Sequence, residues 1–389
     1  MTGQDQFRRH PQARLFDAGG EVVASDLSGP VFPATPSAAS LLAAMGARSF
    51  RIGGPGDVPE TLPGVPCFET LTSGSSGPLR RILRRQASWM GSFAVNAGLF
   101  GIGPWVAVAV LGQLTQSLAL YGAVEALHLG AELHLLDALR PDRQRAVLAA
   151  RGVAVLYASP AQLRLLVASG PVLTRLRLVI IGGSKLDRAL RVALREMAPG
   201  AEVREFYGAA EASFITLADA ATPEDSVGRP YPGVEIDLRG EMGEIWVRSP
   251  YLSERYAGSD PGSARWQDGW LTVGEIGWFR DGLLYLAGRA GRMVTVADQN
   301  VFPEAIEAFL LGLQGVVQAA VLPVADAQRG VHLVAVLQGD AGREAEILAL
   351  VRREFGALKA PRRVIWRRDW PATASGKTDF LMLAKGLQA

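Results

Sequence analysis

Leu71-Thr72-Ser73-Gly74-Ser75-Ser76-Gly77-Pro78-Leu79-Arg80-Arg81 is the stretch on which the reading of this chain turns. Its centre, residues 72–77, consists only of hydroxyl residues and glycines, and a cationic run follows at once. Such a segment has nothing to bury. Its hydroxyls and backbone N–H groups can converge on an anion, and glycine lets the backbone approach closely and take φ > 0. A polar surface turn would have the same composition. A Walker loop is excluded, because G-x-x-x-x-G-K-[ST] needs Lys-Ser/Thr after the last glycine, where Pro78-Leu79-Arg80 stands.

The rest of the chain decides what this loop serves. At 389 residues it is long enough for a large core and two domains. With 49% hydrophobic and 20% charged residues it reads as a soluble globular protein. A net charge of only +2 gives no support to a nucleic-acid or membrane-surface role. Lysine occurs only at 185, 359, 377 and 385, a skew toward arginine that suggests a high-GC bacterial source. The single cysteine, Cys67, excludes an internal disulfide framework and fits a reducing, cytoplasmic setting. Residues 1–16 are polar, without the apolar stretch of a signal peptide. Residues 86–124 carry no charge, yet Asn96, Pro104, Gln113 and Gln116 break the apolar runs before they reach the roughly 18 residues of a membrane span. A buried helix–strand–helix is expected there. Monomer and homodimer remain open.

Residues 1–65 are rich in Pro, Gly, Ala and Ser and suggest short strands in a loose segment. After the loop, helices are expected over 88–100, 117–129, 143–150 and 160–169, with strands over 105–111, 132–136, 154–157 and 176–181. This alternation predicts an α/β fold with a mostly parallel sheet flanked by helices, with ligands at the strand C-termini. Three strand ends stand out: Ala158-Ser159-Pro160, Gly182-Gly183-Ser184-Lys185, and Glu205-Phe206-Tyr207-Gly208-Ala209-Ala210-Glu211. From 227 to 285 short alternating strands and turns predict a small β subdomain. Residues 1–287 form the expected large N-terminal domain, 288–292 a hinge, and 293–389 a smaller, mobile α+β C-terminal domain.

Single residues have two readings each. Glu211 is either a surface acid at a turn or a carboxylate for Mg²⁺ on phosphates, a metal that takes one or two protein carboxylates plus phosphate oxygens. Tyr207 offers a ring that can stack on a purine or fill a core. Lys377, in Pro371-Ala-Thr-Ala-Ser-Gly-Lys377, is an ordinary solvated lysine unless its turn is presented to a site. His128 and His134 flank a helix–strand junction and read as structural. No G-x-S-x-G elbow is present. The arginines at 80–85, 362–363 and 367–368 are taken, beyond Arg80, as solvated faces rather than an RNA surface.

Together these residues resemble the adenylate-forming (ANL) superfamily: acyl-CoA synthetases, aryl-acid ligases, luciferases and the adenylation domains of peptide synthetases. Thr72-Ser-Gly-Ser-Ser-Gly77 resembles its phosphate loop, Gly182-Gly183-Ser184 its adenine-side turn, and Tyr207-Gly-Ala-Ala-Glu211 its Tyr-Gly-x-Thr-Glu. Val227-Gly-Arg-Pro230, Val273-Gly274-Glu275, Gly288-Arg289, Val301-Phe-Pro-Glu-Ala-Ile-Glu307 and Pro371–Lys377 fall in the family's order. The departures are specific. The phosphate loop begins at Thr72, which implies a shortened N-terminal region. Arg80 replaces the loop's lysine, Ala210 the threonine before the glutamate, and Glu275 the ribose-binding aspartate. Gly291 takes the hinge Asp or Lys, and Ala297-Asp298 the Gly-Gly that passes pantetheine.

The resemblance implies ATP-dependent activation of a carboxylic acid as an acyl-adenylate, then transfer to the thiol of CoA or of phosphopantetheine on an acyl carrier protein. It assigns Thr72, Ser73, Gly74, Ser75, Ser76, Gly77 and Arg80 to the β- and γ-phosphates, and Glu211 to Mg²⁺. Lys377 would bridge the carboxylate and the α-phosphate. Gly183, Ser184, Glu205, Phe206, Tyr207, Gly208 and Ala210 would line the nucleotide, and Glu275 with Arg289 would hold its ribose. By position, Ser117, Leu118, Tyr121, Tyr157 and Gly182, with Phe206, form the acid pocket. No carboxylate is expected there for an α-amino group, which favours an aryl or acyl acid over an amino acid. A non-catalytic relative acting as a nucleotide or acyl binding module is the alternative.

Overall fold

The uncharged run from Gln86 and the short apolar segments beyond it dictate the centre of the molecule. A computed structural model describes residues 5–22, 36–54, 58–73, 79–168, 170–258, 262–296, 299–326, 330–373 and 378–388. β1 (Arg14–Asp17) and β2 (Gly20–Glu21) pair antiparallel, α1 (Ala38–Ala44) follows, and β3 (Ser49–Arg51), β4 (Cys67–Ser73) and β5 (Leu79–Arg85) build a small sheet. Then come α2 (Gln86–Phe100), β6 (Ala107–Val110), α3 (Ser117–Leu129), β7 (Glu132–Leu135), α4 (Pro141–Ala150), β8 (Val155–Ala158), α5 (Pro160–Val167), β9 (Leu178–Ile181), α6 (Arg188–Met197) and β10 (Glu202–Ala209).

Strands β8 and β9 are buried along their whole length, so their residues are continuously apolar, as a parallel sheet covered on both faces requires. α5 starts where the sequence says it should: Ser159 and Gln162 close a capping box, and Pro160 occupies the first turn. β1, β7, β6, β8, β9 and β10 lie side by side, all parallel. Tyr121, Val124, Phe93 and Tyr157 pack on one face, and Leu156, Leu163, Val179 and Leu190 on the other.

Beyond β10 the sheet turns antiparallel. β11 (Ser213–Ala218), β12 (Ser226–Pro230), β13 (Glu235–Arg239) and β14 (Glu244–Arg248) are followed by β15 (Arg255–Ala257), β16 (Arg265–Gln267), β17 (Trp270–Thr272), β18 (Glu275–Arg280) and β19 (Leu283–Arg289). The strands expected between 227 and 285 are present; β12 joins them to the parallel half by pairing with β11 and β19. β15 alone leaves this sheet and pairs with β5. A 3-10 turn at Ala290–Arg292 leads to β20 (Val294–Val296), β21 (Gln299–Val301), α7 (Pro303–Leu311), β22 (Val316–Asp326), β23 (Gly330–Gly339), α8 (Glu344–Phe355), β24 (Arg363–Trp366) and α9 (Phe380–Gln388). The last three strands form their own sheet over a core of Ile306, Leu310, Val321 and Leu333. Among the described residues no helix is long and apolar enough to cross a membrane.

Three expectations are corrected. Leu71 and Arg81 belong to strands β4 and β5, and Leu71 is buried, so the ends of the opening stretch do have something to bury. The segment 205–209 does not follow its strand but continues it: the last parallel pair is Glu205 with Ile181, after which β10 runs on against β11 alone. Finally, Arg85, Arg362, Arg363 and Arg368 are exposed as expected, but two arginines after Arg80 are not part of a solvated face. Arg81 pairs with the buried Glu69, and Arg84 is 0% exposed.

Candidate active site

The β4–β5 hairpin sets Thr72 directly opposite Arg80. The residues joining the two strands, Gly74, Ser75, Ser76, Gly77 and Pro78, lie outside the described residues, as do Lys377 and Ala297-Asp298. Because β15 adds to β5, Tyr256 lies beside Ile82 and reaches the end of the turn after β10. Its hydroxyl donates to Glu211 Oε1 at 2.7 Å, and the Arg80 guanidinium stands 6.0 Å from its ring centre. Burial and the Glu211 carboxylate push the phenol up to about 12, so it is a neutral O–H donor at physiological pH. Trp266 meets the ring edge-on.

Glu211 is half-buried, and no cluster of three or more metal-ligating side chains exists among the described residues. One oriented carboxylate suits a Mg²⁺ ion held mainly by nucleotide phosphates, the donor pattern that ion prefers. Sequence reading missed Tyr256. It lies in a polar stretch, and only its strand pairing with β5 reveals it.

At the other flank of β10, the Tyr207 hydroxyl donates to the Glu275 carboxylate. Burial, then the Glu275 charge, hold that phenol well above its ordinary value. Glu275 and Arg289 are register partners on β18 and β19, and Arg289 Nε donates to Glu275 Oε1 at 3.2 Å. The expected ribose pair is therefore adjacent, and Tyr207 is tied to it. Phe206 explains the glycine at 182: a Cβ there would lie 2.2 Å from its ring. Gly183 and Ser184 are exposed, Gly208 and Ala210 half-buried. Glu205 is engaged elsewhere, accepting from Leu186 N at 3.1 Å and pairing with Arg191 at 3.3 Å where α6 begins.

Ser117, Tyr121 and Glu125 are spaced by four on α3 and so share one face. Ser117 and Leu118 are half-buried at its first turn, whereas Tyr121 and Tyr157 are core residues. The Tyr121 hydroxyl lies 2.7 Å from Ser92 Oγ and accepts from Asn96 Nδ2 at 3.0 Å. Asn96 also donates to Glu125 at 2.8 Å, Tyr157 donates to the other Glu125 oxygen, and Tyr231 donates to Asn96. A carboxylate does lie beside these residues: Glu125, the first charge after the uncharged run, is buried and engaged within the core. Burial raises its carboxyl to about 7, and its oxygens are occupied by Tyr157 and Asn96. Gly122 makes room for this arrangement, since a Cβ there would stand 2.8 Å from the Tyr157 ring.

The turn at 290–292 joins the two sheets. Before it, Arg289 N donates to Glu304 Oε1 at 3.4 Å. At its end, Arg292 forks onto Glu307 at 2.7 and 3.0 Å and lies 4.0 Å from the Phe380 ring centre. Gly291, between them, is exposed.

The AMP-binding enzyme family model matches residues 22–257, and the AMP-binding enzyme C-terminal domain model matches 305–377. The chain belongs to this family of adenylate-forming enzymes, whose resemblance its motifs carry. It is 32% identical over 348 residues to YhfT, an uncharacterized acyl–CoA ligase of Bacillus subtilis, across 85% of this chain and 71% of that protein. Two solved structures share the fold. The amide bond synthetase McbA from Marinactinospora thermotolerans superposes with a TM-score of 0.78 at 23% identity, covering 96% of each chain. O-succinylbenzoate coenzyme A synthetase from Bacillus subtilis, in complex with ATP and magnesium ion, superposes with 0.72 at 21% identity, over 82% of this chain and 69% of that one.

Proposed function

We propose that this protein joins a compact aryl or acyl carboxylic acid to AMP, releasing pyrophosphate, and then passes the acyl group to the thiol of CoA or a carrier-protein pantetheine. The observation that carries this reading is the arrangement about β10. Glu211, Tyr256 and Arg80 gather at its end, while Tyr207, Glu275 and Arg289 gather along its flank.

Both substrates are anions, so the site must supply cations and N–H or O–H donors. The hydroxyls of 72–77 and Arg80 hold the β- and γ-phosphates. Glu211, oriented by Tyr256, would hold Mg²⁺, which when bound neutralises phosphate charge. Glu275 and Arg289 hold the ribose beside Tyr207. Lys377 bridges the acid and the α-phosphate; at about 4 Å and an effective dielectric near 20 such a contact is worth roughly 4 kcal/mol. A carboxylate oxygen then attacks the α-phosphorus and the bond to the β-phosphate breaks. In the second step the thiol sulfur attacks the acyl carbon and AMP leaves. For that step the C-terminal part, 293–389, rotates about 288–292 against the body, 1–287, and withdraws Lys377.

Acid size would then be limited by Tyr157, whose ring packs against Gly122. The relative YhfT supports CoA as the acceptor, and the carrier protein is the other thiol to try.

The test is acid-dependent pyrophosphate release by Lys377→Ala. A fall of 10²–10³, about 3–4 kcal/mol, is expected with ATP binding retained. Unchanged release would remove Lys377 from the mechanism. ATP–pyrophosphate exchange over a panel of aryl and short acyl acids separates the enzyme from a binding module, which would give none.

A further inference from the structure

Arg84 lies at the heart of the site and belongs to none of the motifs. It is a fully buried guanidinium and, among the described residues, makes no ion pair. Its Nη1 donates to the carbonyls of Ala210 at 2.6 Å and Glu211 at 3.3 Å. Its Nη2 donates to Ser213 Oγ at 2.7 Å and to the Tyr251 carbonyl, while Trp89 lies 5.7 Å from its Cζ. Burying an arginine is costly, and four neutral acceptors could be served by a smaller donor. Desolvation lowers it to about 9, with the Glu211 carboxylate the largest opposing influence, so it stays charged at neutral pH.

The acceptors show what the charge is for. Ala210 and Glu211 form the turn that offers Glu211 to the site. Tyr251 begins the segment whose Ser253 N–H bonds the Glu211 carbonyl at 2.8 Å and which continues into β15 and Tyr256. One planar fork therefore ties together both partners of the Glu211–Tyr256 pair. Ala210 has no hydroxyl of its own with which to brace this turn.

We propose that Arg84 is a positioning residue for nucleotide binding. It locks the Ala210–Glu211 turn to the segment leading to Tyr256, and its buried charge behind that turn draws the polyphosphate. This rests on the reading of the site as an ATP site. Arg84 touches no substrate and acts through Glu211, Tyr256 and the field it adds, which is strong because the surroundings are dry.

The test compares Arg84→Gln, which keeps donors without charge, with Arg84→Lys, which keeps charge without the fork. Each full-length variant is titrated with ATP and Mg²⁺ by calorimetry, and its thermal midpoint and its KM and kcat for pyrophosphate release are measured. We expect Arg84→Gln to weaken ATP binding and raise KM for ATP by tenfold or more, with a smaller change in kcat at saturation. Arg84→Lys should recover most of that loss even where its midpoint is no better. A folded Arg84→Gln protein that binds ATP within twofold of wild type overturns the proposal, as do losses that merely follow the midpoint in both variants. If neither variant folds, Ser213→Ala, which removes one of the two acceptors of Nη2, decides. Weaker ATP binding with an unchanged midpoint supports the proposal, and unchanged binding rejects it. Wild-type protein that binds no ATP defeats this inference and the proposed function together. Wild type that binds ATP but releases no pyrophosphate with any acid defeats only the latter.

Discussion

Glu125 shows how far a single residue can set the behaviour of this fold. Its carboxyl sits at about 7 instead of the usual 4.5 because it is buried, despite donors from Tyr157 and Asn96. The folded protein thus keeps a proton that the unfolded chain has already lost. Stability is highest below pH 4.5 as far as this group is concerned, falls as pH rises toward 7, and stays lower above it. The displacement corresponds to about 3 kcal/mol. Glu125→Gln should therefore flatten the stability profile between pH 5 and 7 and make the protein more stable than wild type at pH 8. Urea unfolding at several pH values measures this, and an unaltered slope would reject it. Residues of this kind were hidden from sequence reading. Glu125 and Arg84 are charged letters in positions that burial reserves for apolar ones, and the ordinary assumption that charge means solvent fails at both.

At the scale of elements, legibility followed burial. α3 was read to the residue and β8 and β9 nearly so, because a covered parallel strand or an apolar helix leaves an uninterrupted signal. β4 and β5 left none. β4 is buried on both faces and β5 over much of its length, yet their buried positions include Glu69, Thr70 and Arg84, so neither the apolar alternation nor the apolar run that marks a strand is there. The nucleotide motifs were legible by order alone, whereas Tyr256, which completes the Glu211 side, depends on the pairing of β15 with β5. The contact of α3 with β8 carries its own prediction. Tyr157→Ala should open space over Gly122 and shift preference toward bulkier or longer acids, at a stability cost of about 3–5 kcal/mol. Competition between short and longer acids in the exchange assay reads this out; an unshifted ratio would place the pocket floor elsewhere.

Over the whole molecule, the proposed rotation calls for a pivot between the two sheets. Arg289 is bound to the body through Glu275. Arg292 is rooted in the C-terminal part through Glu307, the Val321 carbonyl and the face of Phe380, which opens α9. Ala290 N bonds the Gly274 carbonyl at 2.8 Å and so belongs to the first anchorage, which leaves the exposed Gly291 between the two. Stiffening the pivot with Gly291→Pro should spare pyrophosphate release and slow thioester formation by about a factor of ten or more. Equal effects on both steps would argue against rotation here.

β15 also bears on how the molecule comes into being. Arg85 and Glu254, paired across its junction with β5, are 169 residues apart in the chain. Closing so distant a pair is slow, while the helices and parallel strands between them rest on near neighbours. The Glu211–Tyr256 pair is accordingly expected to form after the parallel sheet on which β10 lies. During synthesis the parallel strands and their helices are expected to pack before β15 reaches β5.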